Sequence, residues 1–516
     1  MSKLRRDRAR KRLSEVLSLA HDQSFLVMVW AIDALQSGRV EEARPFMPSF
    51  PSEAATAELS SPYFVHKWAL ETLVNELLVT PKKTVPHKGR TRVLDCTRFE
   101  TVATCVNILR DLENAEDGIT LQHLSVFDIM HKIGHRQFEW QRGFFSYAQI
   151  YRALTVYGGE LAAQYFKSTN GISIADFFIC GFAFSALYQE KPAFDAQVDL
   201  SPIQVSSQTR DAALGLFSAP LSEIRKHASA VRRQTIGHST AYQPSILRKM
   251  PMVTIEGSAR RVVLAPLRSL IWQRMTAGLY YDLVDGGSDI WREIGSRFEN
   301  YCLELVEALL PNAKPTGSFK YKLGKTLDSP DLFLHAPDGS AMIVIECKAK
   351  KMSIVAKFSD NPLDDAQTAF SEIIKGVVQL WRFFSHCRRN PEIKAIHRDA
   401  SGVVLTLDPW LQASNHLDRV FAEAHRRADL DRDILDADRR PVLFCSIDDL
   451  ENTLEIATEA SLFEAVDATS RPEFRGWHLV NVHQKVSNVE QHNPYPFSDR
   501  IGDIVPTWRL FPDADK

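Results

Sequence analysis

SPDLFLHAPDGSAMIVIECKAK, residues 329–350, is the stretch that decides the fold of the second half of the chain. Residues 332–334 and 341–345 have the length and the apolar composition of β-strands. Asp338-Gly339 lies between them and is among the strongest short-range signals for a hairpin turn. If this pair is the centre of the turn, opposed residues have numbers that sum to 677, as 338 and 339 do.

Two carboxylates and a lysine come together in this register. Asp331 lies opposite Glu346 with the Cβ atoms ~5 Å apart, and alternation places Lys348 on the same face as Glu346. Like charges that face each other destabilise a sheet, so the pair favours a cation between them. Carboxylate oxygens suit Mg²⁺ or Mn²⁺, and a nearby lysine can hold or deprotonate a water that attacks phosphorus. A loop of odd length at Pro337 would turn Asp331 to the other face.

The composition is that of an ordinary protein of 516 residues with a formal net charge of −2. The length allows roughly three domains, and the near-neutral charge is not typical of a general nucleic-acid binder. Seven cysteines without a CxxC pair indicate neither a disulfide framework nor a zinc site, so a reducing cytoplasm is the expected compartment. The longest apolar stretch, residues 177–187, is shorter than the ~20 residues of a membrane span.

Positive charge is concentrated in two segments. Residues 1–12 contain seven Lys or Arg against one Asp, and residues 225–261 form a second basic region. Each segment can contact phosphates or form a solvated face. No apolar region or cleavage site of a signal peptide follows the first segment.

The order of elements divides the chain into four parts. Residues 1–245 have mostly helical periodicity and predict a recognition or regulatory region. Residues 246–285 predict a strand-rich connector, in which Glu256-Gly257-Ser258 can turn a hairpin. Residues 286–450 alternate helix and strand, and residues 451–516 are predicted to pack on them as a C-terminal extension. The predicted fold class is therefore mixed, α+β or α/β, with a helical N-terminal half.

The periodicity of residues 286–450 predicts their elements one by one. Helices are predicted at 290–310, 364–384 and 416–425, and strands at 317–323, 331–335, 341–347, 403–407 and 441–446. From the helix at 290–310 to the strand at 403–407, the predicted order is helix, three strands, helix, strand.

The motif and this order resemble the PD-(D/E)XK superfamily, the restriction-endonuclease-like nucleases. The resemblance rests on Pro330-Asp331 and on Glu346-Cys347-Lys348 at the end of an apolar strand, and it covers about residues 290–450. It implies a restriction-endonuclease-like αβββαβ core. It also implies that Asp331 and Glu346 coordinate a divalent metal, Mg²⁺ or Mn²⁺, together with the backbone carbonyl of Cys347, and that Lys348 orients the attacking water.

The resemblance extends to two further side chains. Glu299, in RFENYC, lies at the border of the apolar stripe of the first helix and fits the catalytic and metal-binding glutamate that many members carry. Gln379 fits the glutamine that some branches place on the second helix, where it forms a polar stripe with Lys375 and Arg382 that contacts phosphates or solvent. The side chain of Cys347 points to the other face and is predicted to be a small core residue.

These features predict a metal-dependent nuclease that hydrolyses phosphodiester bonds of nucleic acid, with DNA favoured over RNA and with target choice assigned to residues 1–245. By family-level association, such architectures are most often found in defence against foreign DNA. Two alternatives stay open: an RNA-cutting effector on the same fold, and an interaction protein whose nuclease fold no longer cuts. The helical half is also compatible with a protein partner or a homo-oligomer, and no membrane is expected.

Overall fold

The architecture of the chain is given by a computed structural model that describes residues 2–83, 85–87, 90–124, 126–256, 260–359, 367–409, 414–489 and 491–510. It is mixed α+β with a helical N-terminal half, which confirms the coarse prediction. The helices of that half are α1 (Ser2–Ser18), α2 (Asp22–Leu35), α3 (Val40–Ala43), α4 (Ser52–Ala55), α5 (Lys67–Val79), α6 (Phe99–Thr120), α7 (Val126–Arg142), α8 (Tyr147–Tyr157), α9 (Glu160–Asn170), α10 (Ile174–Leu187), α11 (Ser207–Phe217) and α12 (Leu221–Gln234).

The predicted strand-rich connector is part of a larger sheet. Strands β5 (Met252–Glu256) and β6 (Arg261–Leu264) pair antiparallel as expected, and the predicted turn residues 257 and 258 lie outside the described residues. The two outer strands come from the helical half, because β3 (Ala193–Asp195) pairs with β6 and β4 (Ser218–Pro220) pairs with β5. Residues 252–264 are therefore tied to the first half of the chain. A separate short hairpin joins β1 (Val85–His87) and β2 (Arg90–Arg92).

A second, five-stranded sheet lies in the second half of the chain. The strands of this half are β7 (Thr316–Gly317), β8 (Lys320–Leu323), β9 (Lys325–Asp328), β10 (Leu332–His335), β11 (Ala341–Lys348), β12 (Ile396–Thr406) and β13 (Val442–Ser446). All of them except β8 and β9 belong to the five-stranded sheet. The spatial order is β13-β12-β11-β10-β7, with β7, β10 and β11 antiparallel and β11, β12 and β13 parallel. The parallel pairs require crossover connections, and helices supply them.

Helices cover both faces of this sheet. The helices of the second half of the chain are α13 (Ser269–Met275), α14 (Leu279–Leu283), α15 (Ser288–Leu309), α16 (Ile354–Lys357), α17 (Gln367–Arg389), α18 (Ser414–Ala428), α19 (Ile447–Leu454), α20 (Glu459–Ala468), α21 (Leu479–Val486) and α22 (Ile501–Ile504). Helix α17 connects β11 to β12, and α18 connects β12 to β13. The predicted helix 364–384 corresponds to α17, and its first three predicted residues lie outside the described ones.

The predicted strand 317–323 is wrong as a single element. Thr316–Gly317 pairs with β10, whereas Lys320–Leu323 turns back on Lys325–Asp328 as a hairpin of its own. Gly324 connects these two strands with φ +73°, a conformation that glycine adopts at little cost. Lysines and a threonine flank Gly324, so the second strand has no clear alternation of apolar residues by which it could be predicted.

The hairpin that carries the motif has the predicted register, although its loop differs from the predicted turn and a bulge was not predicted. Five residues, 336–340, separate the paired residues His335 and Ala341, so the predicted two-residue turn is wrong. The amide of Gly339 donates to the carbonyl of Ala336 at 2.9 Å within this loop. A bulge then restores the pairing, because Leu334 lies opposite Ile343 and Met342 is the extra residue. From there to Leu332↔Ile345 the numbers sum to 677, as predicted.

The two faces of the five-stranded sheet belong to different cores. Ile345 and Cys347 pack in a hydrophobic cluster that continues through α15 into the helical half. Phe333 and Val344 pack in a second cluster with the apolar face of α17 and with α18. Glu346 and Lys348 alternate with Ile345 and Cys347, so they belong to the α17 side.

Membrane-spanning potential is low among the described residues: no single helix is long and apolar enough to cross a bilayer. The bent pair Glu160–Asn170 and Ile174–Leu187, with 65° between its helices, meets the length and composition test only when taken together.

Candidate functional site

Asp331 lies where the chain enters β10 and reaches across to the end of β11. Its N–H donates to the carbonyl of Ile345 at 3.0 Å, and its Oδ2 accepts the N–H of Cys347 at 2.6 Å. The side chain thus continues the ladder beyond the last backbone pair. This bond fixes the Asp331 carboxylate beside the backbone of the Glu346-Cys347-Lys348 motif, where the hairpin register had placed it.

Glu346, Lys348 and Gln379 are joined by hydrogen bonds. The ammonium of Lys348 donates to Glu346 Oε1 at 2.8 Å and to Gln379 Oε1 at 3.1 Å. Glu346 is only 5% exposed. Burial alone would lower the pKa of Lys348, but the charges of Glu346 and Asp331 raise it above its usual value. The lysine is therefore a fixed ammonium group, held between two elements of the sheet and helix layer.

Glu299 comes to the site from the opposite layer. It lies on α15, whose apolar residues Phe298 and Cys302 belong to the core on the Cys347 face. Its carboxylate nevertheless responds to the site, because burial and then the charge of Glu346 raise its pKa, while Lys348 lowers it. Because Glu299 lies at the border of the apolar stripe, the helix can pack on the core while the charges of Glu346 and Lys348 still act on the Glu299 carboxylate.

Three carboxyl groups and one ammonium define the electrostatics of this cluster. Burial raises the pKa of Asp331 far above its usual value, and the charges of Glu346 and Glu299 raise it further. The hydrogen bond from the Cys347 amide and the charge of Lys348 oppose this rise. The surroundings thus contain more negative charge than Lys348 compensates, which is the condition under which a bound cation stabilises a site.

Cys347 contributes its backbone here and its side chain elsewhere. The thiol is buried on the other face of the sheet, and its contact with the Cys302 thiol, together with burial, raises its pKa well above the usual value. Its N–H points toward Asp331. Because the N–H and C=O of one strand residue point to the same side, the Cys347 carbonyl is also directed to that side. The next carbonyl, that of Lys348, accepts Leu407 N–H at 3.2 Å on the β12 side.

The donor set can be tested against a divalent cation. The described residues contain no group of three or more His, Cys, Asp or Glu side chains arranged to hold a metal ion. Mg²⁺, however, is often held by only one or two carboxylates and keeps several waters. Asp331 and Glu346 each have one oxygen engaged, by Cys347 N–H and by Lys348 respectively. Their remaining oxygens and the Cys347 carbonyl are hard ligands that fit Mg²⁺ or Mn²⁺.

The predicted polar stripe on α17 separates into different environments. Gln379 turns inward to Lys348, whereas Lys375 and Arg382 are exposed. Arg382 Nε donates to Asp431 at 2.9 Å, and Lys375 forms an exposed pair with Glu372 at 3.6 Å. Of the three residues, only Gln379 belongs to the cluster.

Three arginines of the basic segment 225–261 are used inside the protein. Arg225 pairs with Asp22 at 3.1 Å, and Arg232 pairs with Glu76. Arg248 is part of a buried ion-pair network near the five-stranded sheet. Part of the charge that suggested a phosphate-binding region therefore stabilises the protein from inside.

The two basic segments nevertheless converge on one surface. Arg6 and Arg10 of α1 line a concavity of about 360 Å³ together with Arg232 near the end of α12 and His238 from the loop after it. Helix α1 also exposes five further cations: Lys3, Arg5, Arg8, Lys11 and Arg12. The first twelve residues are thus the more accessible of the two basic segments.

A buried network of ion pairs that no local sequence pattern marks lies near the end of β12. Lys357 Nζ is 2.7 Å from Asp408 Oδ2 and 3.6 Å from Glu139 Oε1, and Glu139 also pairs with Arg248. The network connects α7 of the helical half with α16 and with the residue that follows the β12 ladder. Its members are too distant in sequence for their contact to be predicted by spacing.

Comparisons with known proteins give no match for this chain. No protein-family model matches it, and neither do any curated protein or solved structure. The family assignment from the motif stays a prediction, and the evidence for a function is the arrangement of Asp331, Glu346, Lys348 and Gln379.

Proposed function

We propose that the protein is a metal-dependent nuclease that hydrolyses phosphodiester bonds of nucleic acid, with DNA as the expected substrate. The observation that carries this proposal is the cluster at the end of β11. In it, buried Glu346 holds Lys348, Gln379 holds the same ammonium, and Asp331 is fixed beside them. A buried group of like charges is costly unless it has a use, and strongly perturbed carboxyl groups of this kind are typical of catalytic sites.

The topology around the cluster supports the finer assignment to a restriction-endonuclease-like core. Helix α15 precedes the antiparallel strands β7, β10 and β11, and α17 then leads to the parallel strand β12. This order agrees with the αβββαβ arrangement that the motif implies. The motif residues lie at the same end of β10 and β11, where that arrangement requires them.

The residues of the chain would divide the chemistry among them. Asp331, Glu346 and the Cys347 carbonyl would hold Mg²⁺ or Mn²⁺, with Glu299 close enough to add charge or a water contact. When bound, the cation would supply electrophilic stabilisation of the phosphate oxygens. Lys348 would orient the attacking water or stabilise the charge that develops on phosphorus. Gln379 would keep the Lys348 ammonium in place by its 3.1 Å hydrogen bond.

Two alternatives are distinguishable by experiment. An RNA-cutting effector would use the same cluster, because water attack on a phosphodiester does not itself select DNA. A non-catalytic interaction protein would not need to keep the costly arrangement of Asp331, Glu346 and Glu299. The convergence of α1 with the loop after α12 provides a cationic surface for nucleic acid in either enzyme.

The test is a cleavage assay of the full chain with Mg²⁺ or Mn²⁺ on plasmid, linear duplex DNA, single-stranded DNA and tRNA. We expect DNA cleavage that EDTA abolishes. Lys348→Met should lower the rate by about 10²–10³-fold, the range for removing one group that stabilises charge developing in the transition state. The neighbouring Lys350→Met is the matched control and should keep most of the activity.

The outcomes separate the alternatives. Cleavage of tRNA alone would replace the DNA assignment with the RNA-cutting effector. No cleavage of any substrate, with a folded protein, would favour the interaction protein. Wild-type rates for Lys348→Met would show that the motif is coincidental.

A further inference from the structure

A cavity lies where the helical half meets the five-stranded sheet, on the far side of β11 from Gln379. It measures about 90 Å³ and is lined by residues of α7 and α8, by α13, and by the segments that follow β11 and β12. None of the residues assigned to the proposed nuclease site lines it. A ligand of this cavity is therefore a separate question from the proposed nuclease activity.

Three buried polar atoms on the walls of this cavity lack a hydrogen-bond partner. They are His135 Nε2, Tyr157 Oη and Gln273 Oε1, and none of them bonds to another described residue. His135 is 2% exposed, Tyr157 3% and Gln273 8%. A buried polar group without a partner costs about 1–3 kcal/mol, so three such groups around one space point to a ligand that satisfies them.

The side chains that line the cavity include more cations than carboxylates. Five lining side chains are cations and three are carboxylates: Arg142, Arg152, Arg248, Lys351 and Lys357 against Glu139, Asp408 and Asp448. His135 adds no charge near neutral pH, because burial and then the neighbouring cations and histidines hold its pKa well below its usual value.

Three of the five cations are already compensated. Arg152 pairs with Asp448 at 2.5 Å, Lys357 with Asp408 at 2.7 Å, and Arg248 with Glu139. These pairs use all three carboxylates of the lining. Glu71 and Glu451, which do not line the cavity, pair with Arg248 and Arg152 as well, so these ion pairs form walls without excess charge.

Lys351 lines the cavity without a direct ion pair, although the more distant charge of Asp408 acts on it. Its Nζ donates to the carbonyl of Ala277 at 3.4 Å and lies 5.8 Å from the ring centre of Tyr157. Within the described part of the chain, no carboxylate lies within ion-pair distance of it. Burial lowers its pKa below the usual value. An anion in the cavity would supply the missing partner.

We infer that this cavity binds a small tetrahedral oxyanion of the phosphate class. Lys351 would provide the charge, the hydroxyl of Tyr157 and the ring of His135 would donate hydrogen bonds, and Gln273 would accept one. Hydrogen phosphate carries both acceptor oxygens and a P–OH donor, so it matches this mixed set. The size agrees, because about 90 Å³ is far below the ~300–1,000 Å³ of pockets for drug-sized ligands.

Two sources of the same chemistry have to be separated. Free inorganic phosphate fits the cavity as it stands. The phosphate group of a nucleoside monophosphate has the same acceptors but needs room for the sugar and base. We expect inorganic phosphate to bind and adenosine 5′-monophosphate not to compete with it.

The experiment is calorimetric titration of the full chain with inorganic phosphate, at constant ionic strength set by chloride and with EDTA present. EDTA keeps divalent metals from carrying phosphate into the proposed nuclease site. Tyr157→Phe keeps the ring and removes only the hydroxyl, so binding should weaken about tenfold or more, as expected for one bond to a charged ligand. Lys351→Met should weaken binding at least as much.

Matched controls keep the test specific. Tyr188→Phe removes a second buried hydroxyl that lacks a partner among the described residues but lies outside the cavity, and Lys350→Met removes the adjacent lysine. Both should bind phosphate like the wild type, and thermal unfolding without phosphate checks that every variant is folded. Equal phosphate affinity in Tyr157→Phe and wild type, or no binding beyond that of chloride, would overturn the inference. Competition by the nucleotide that depends on Tyr157 would support the shared chemistry and assign it to a nucleotide.

Discussion

Lys348 and Lys351 lie three residues apart on one segment, yet they face opposite electrostatic situations. Lys348 contacts Glu346 at 2.8 Å and lies near Asp331, and these charges raise its pKa against the effect of burial. Lys351 lies among the rings of Tyr157 and Tyr280, and burial lowers its pKa. The first cluster has more negative charge than Lys348 compensates, whereas in the second Lys351 has no direct ion pair among the described residues. The same residue type thus indicates a cation site in one place and an anion site in the other.

The end of β11 separates the two environments. Lys348 is the last residue of the strand and stays on the face that α17 covers. Lys351 follows after the ladder has ended, where Tyr280 Oη accepts its backbone N–H at 3.0 Å and the segment turns toward the helical half. Ligands at the two sites would therefore act on the same short segment from its two ends.

The largest effect is expected when a carboxylate of the Lys348 cluster is replaced. Glu346→Gln removes one of the two charges assigned to a divalent cation while it keeps the shape of the side chain. We expect loss of the stabilisation that Mg²⁺ gives, which amounts to about 2.7 kcal/mol at a hundredfold excess over Kd, and loss of cleavage. Thermal unfolding of the full chain with and without Mg²⁺ measures the first effect.

Lys351→Met is the counterpart of this variant. It should keep the Mg²⁺-dependent shift in Tm, because the contacts of Lys351 are with Ala277, Tyr157 and Tyr280 and not with Asp331 or Glu346. If both variants lose the shift, the two sites are not independent. If Glu346→Gln keeps it, the cation does not bind between Asp331 and Glu346.

A smaller effect is expected from Gln379. Its Oε1 is the second acceptor of the Lys348 ammonium, so Gln379→Leu should leave the lysine bound to Glu346 alone and less well oriented. We expect about a tenfold loss of kcat, comparable to the loss of about 1.5 kcal/mol from one hydrogen bond to a charged group, with the Mg²⁺-dependent stabilisation unchanged.

Arg382→Ala is the matched control on the same helix. Arg382 bonds to Asp431 outside the cluster, so its removal should leave kcat within about twofold, the effect of an exposed ion pair being small. A Gln379→Leu enzyme with wild-type kcat would remove Gln379 from the site and leave Lys348 positioned by Glu346 alone.

The sequence was sufficient for the candidate site because the site is local. Asp331, Glu346 and Lys348 lie in one hairpin, and period-two alternation assigns their faces once the register is known. The register was correct even though the turn was not. The odd-numbered loop at 336–340 would have reversed the face of Asp331, but the bulge at Met342 adds a second residue and restores it. No sequence signal distinguishes Met342 from a regular strand residue.

The interface cavity could not be predicted from the sequence in the same way. Its unpartnered groups come from the consecutive helices α7 and α8, which carry His135 and Tyr157, and from α13, where Gln273 follows more than 100 residues later. Arg248 shows the same limit from the other direction. Its basic neighbours suggested a phosphate-binding segment, whereas tertiary packing brings it to Glu71 at 2.9 Å. Charge along a sequence predicts exposure only where folding brings no opposite charge to it.

The smallest expected effect concerns the stability of the protein and the charge of Lys351. The folded-state pKa of this lysine lies below its value of about 10.5 in the unfolded chain, so the folded state pays for the buried ammonium at every pH below the lowered pKa. Lys351→Met keeps an apolar stem of similar length, and in phosphate-free buffer at pH 7 we expect it to raise the free energy of unfolding by about 1 kcal/mol. As the pH rises through the lowered pKa toward 10.5, the wild type loses the proton in the folded state first, and its stability rises relative to the variant. The difference between the two proteins, measured by urea unfolding at a series of pH values, should therefore shrink with increasing pH. Phosphate should reverse the order at pH 7, because it stabilises only the protein that binds it. A variant that is less stable than the wild type in phosphate-free buffer would mean that the contacts of Lys351 with Ala277 and Tyr157 outweigh the cost of its buried charge, and the contrast between the two lysines would then no longer indicate an anion site.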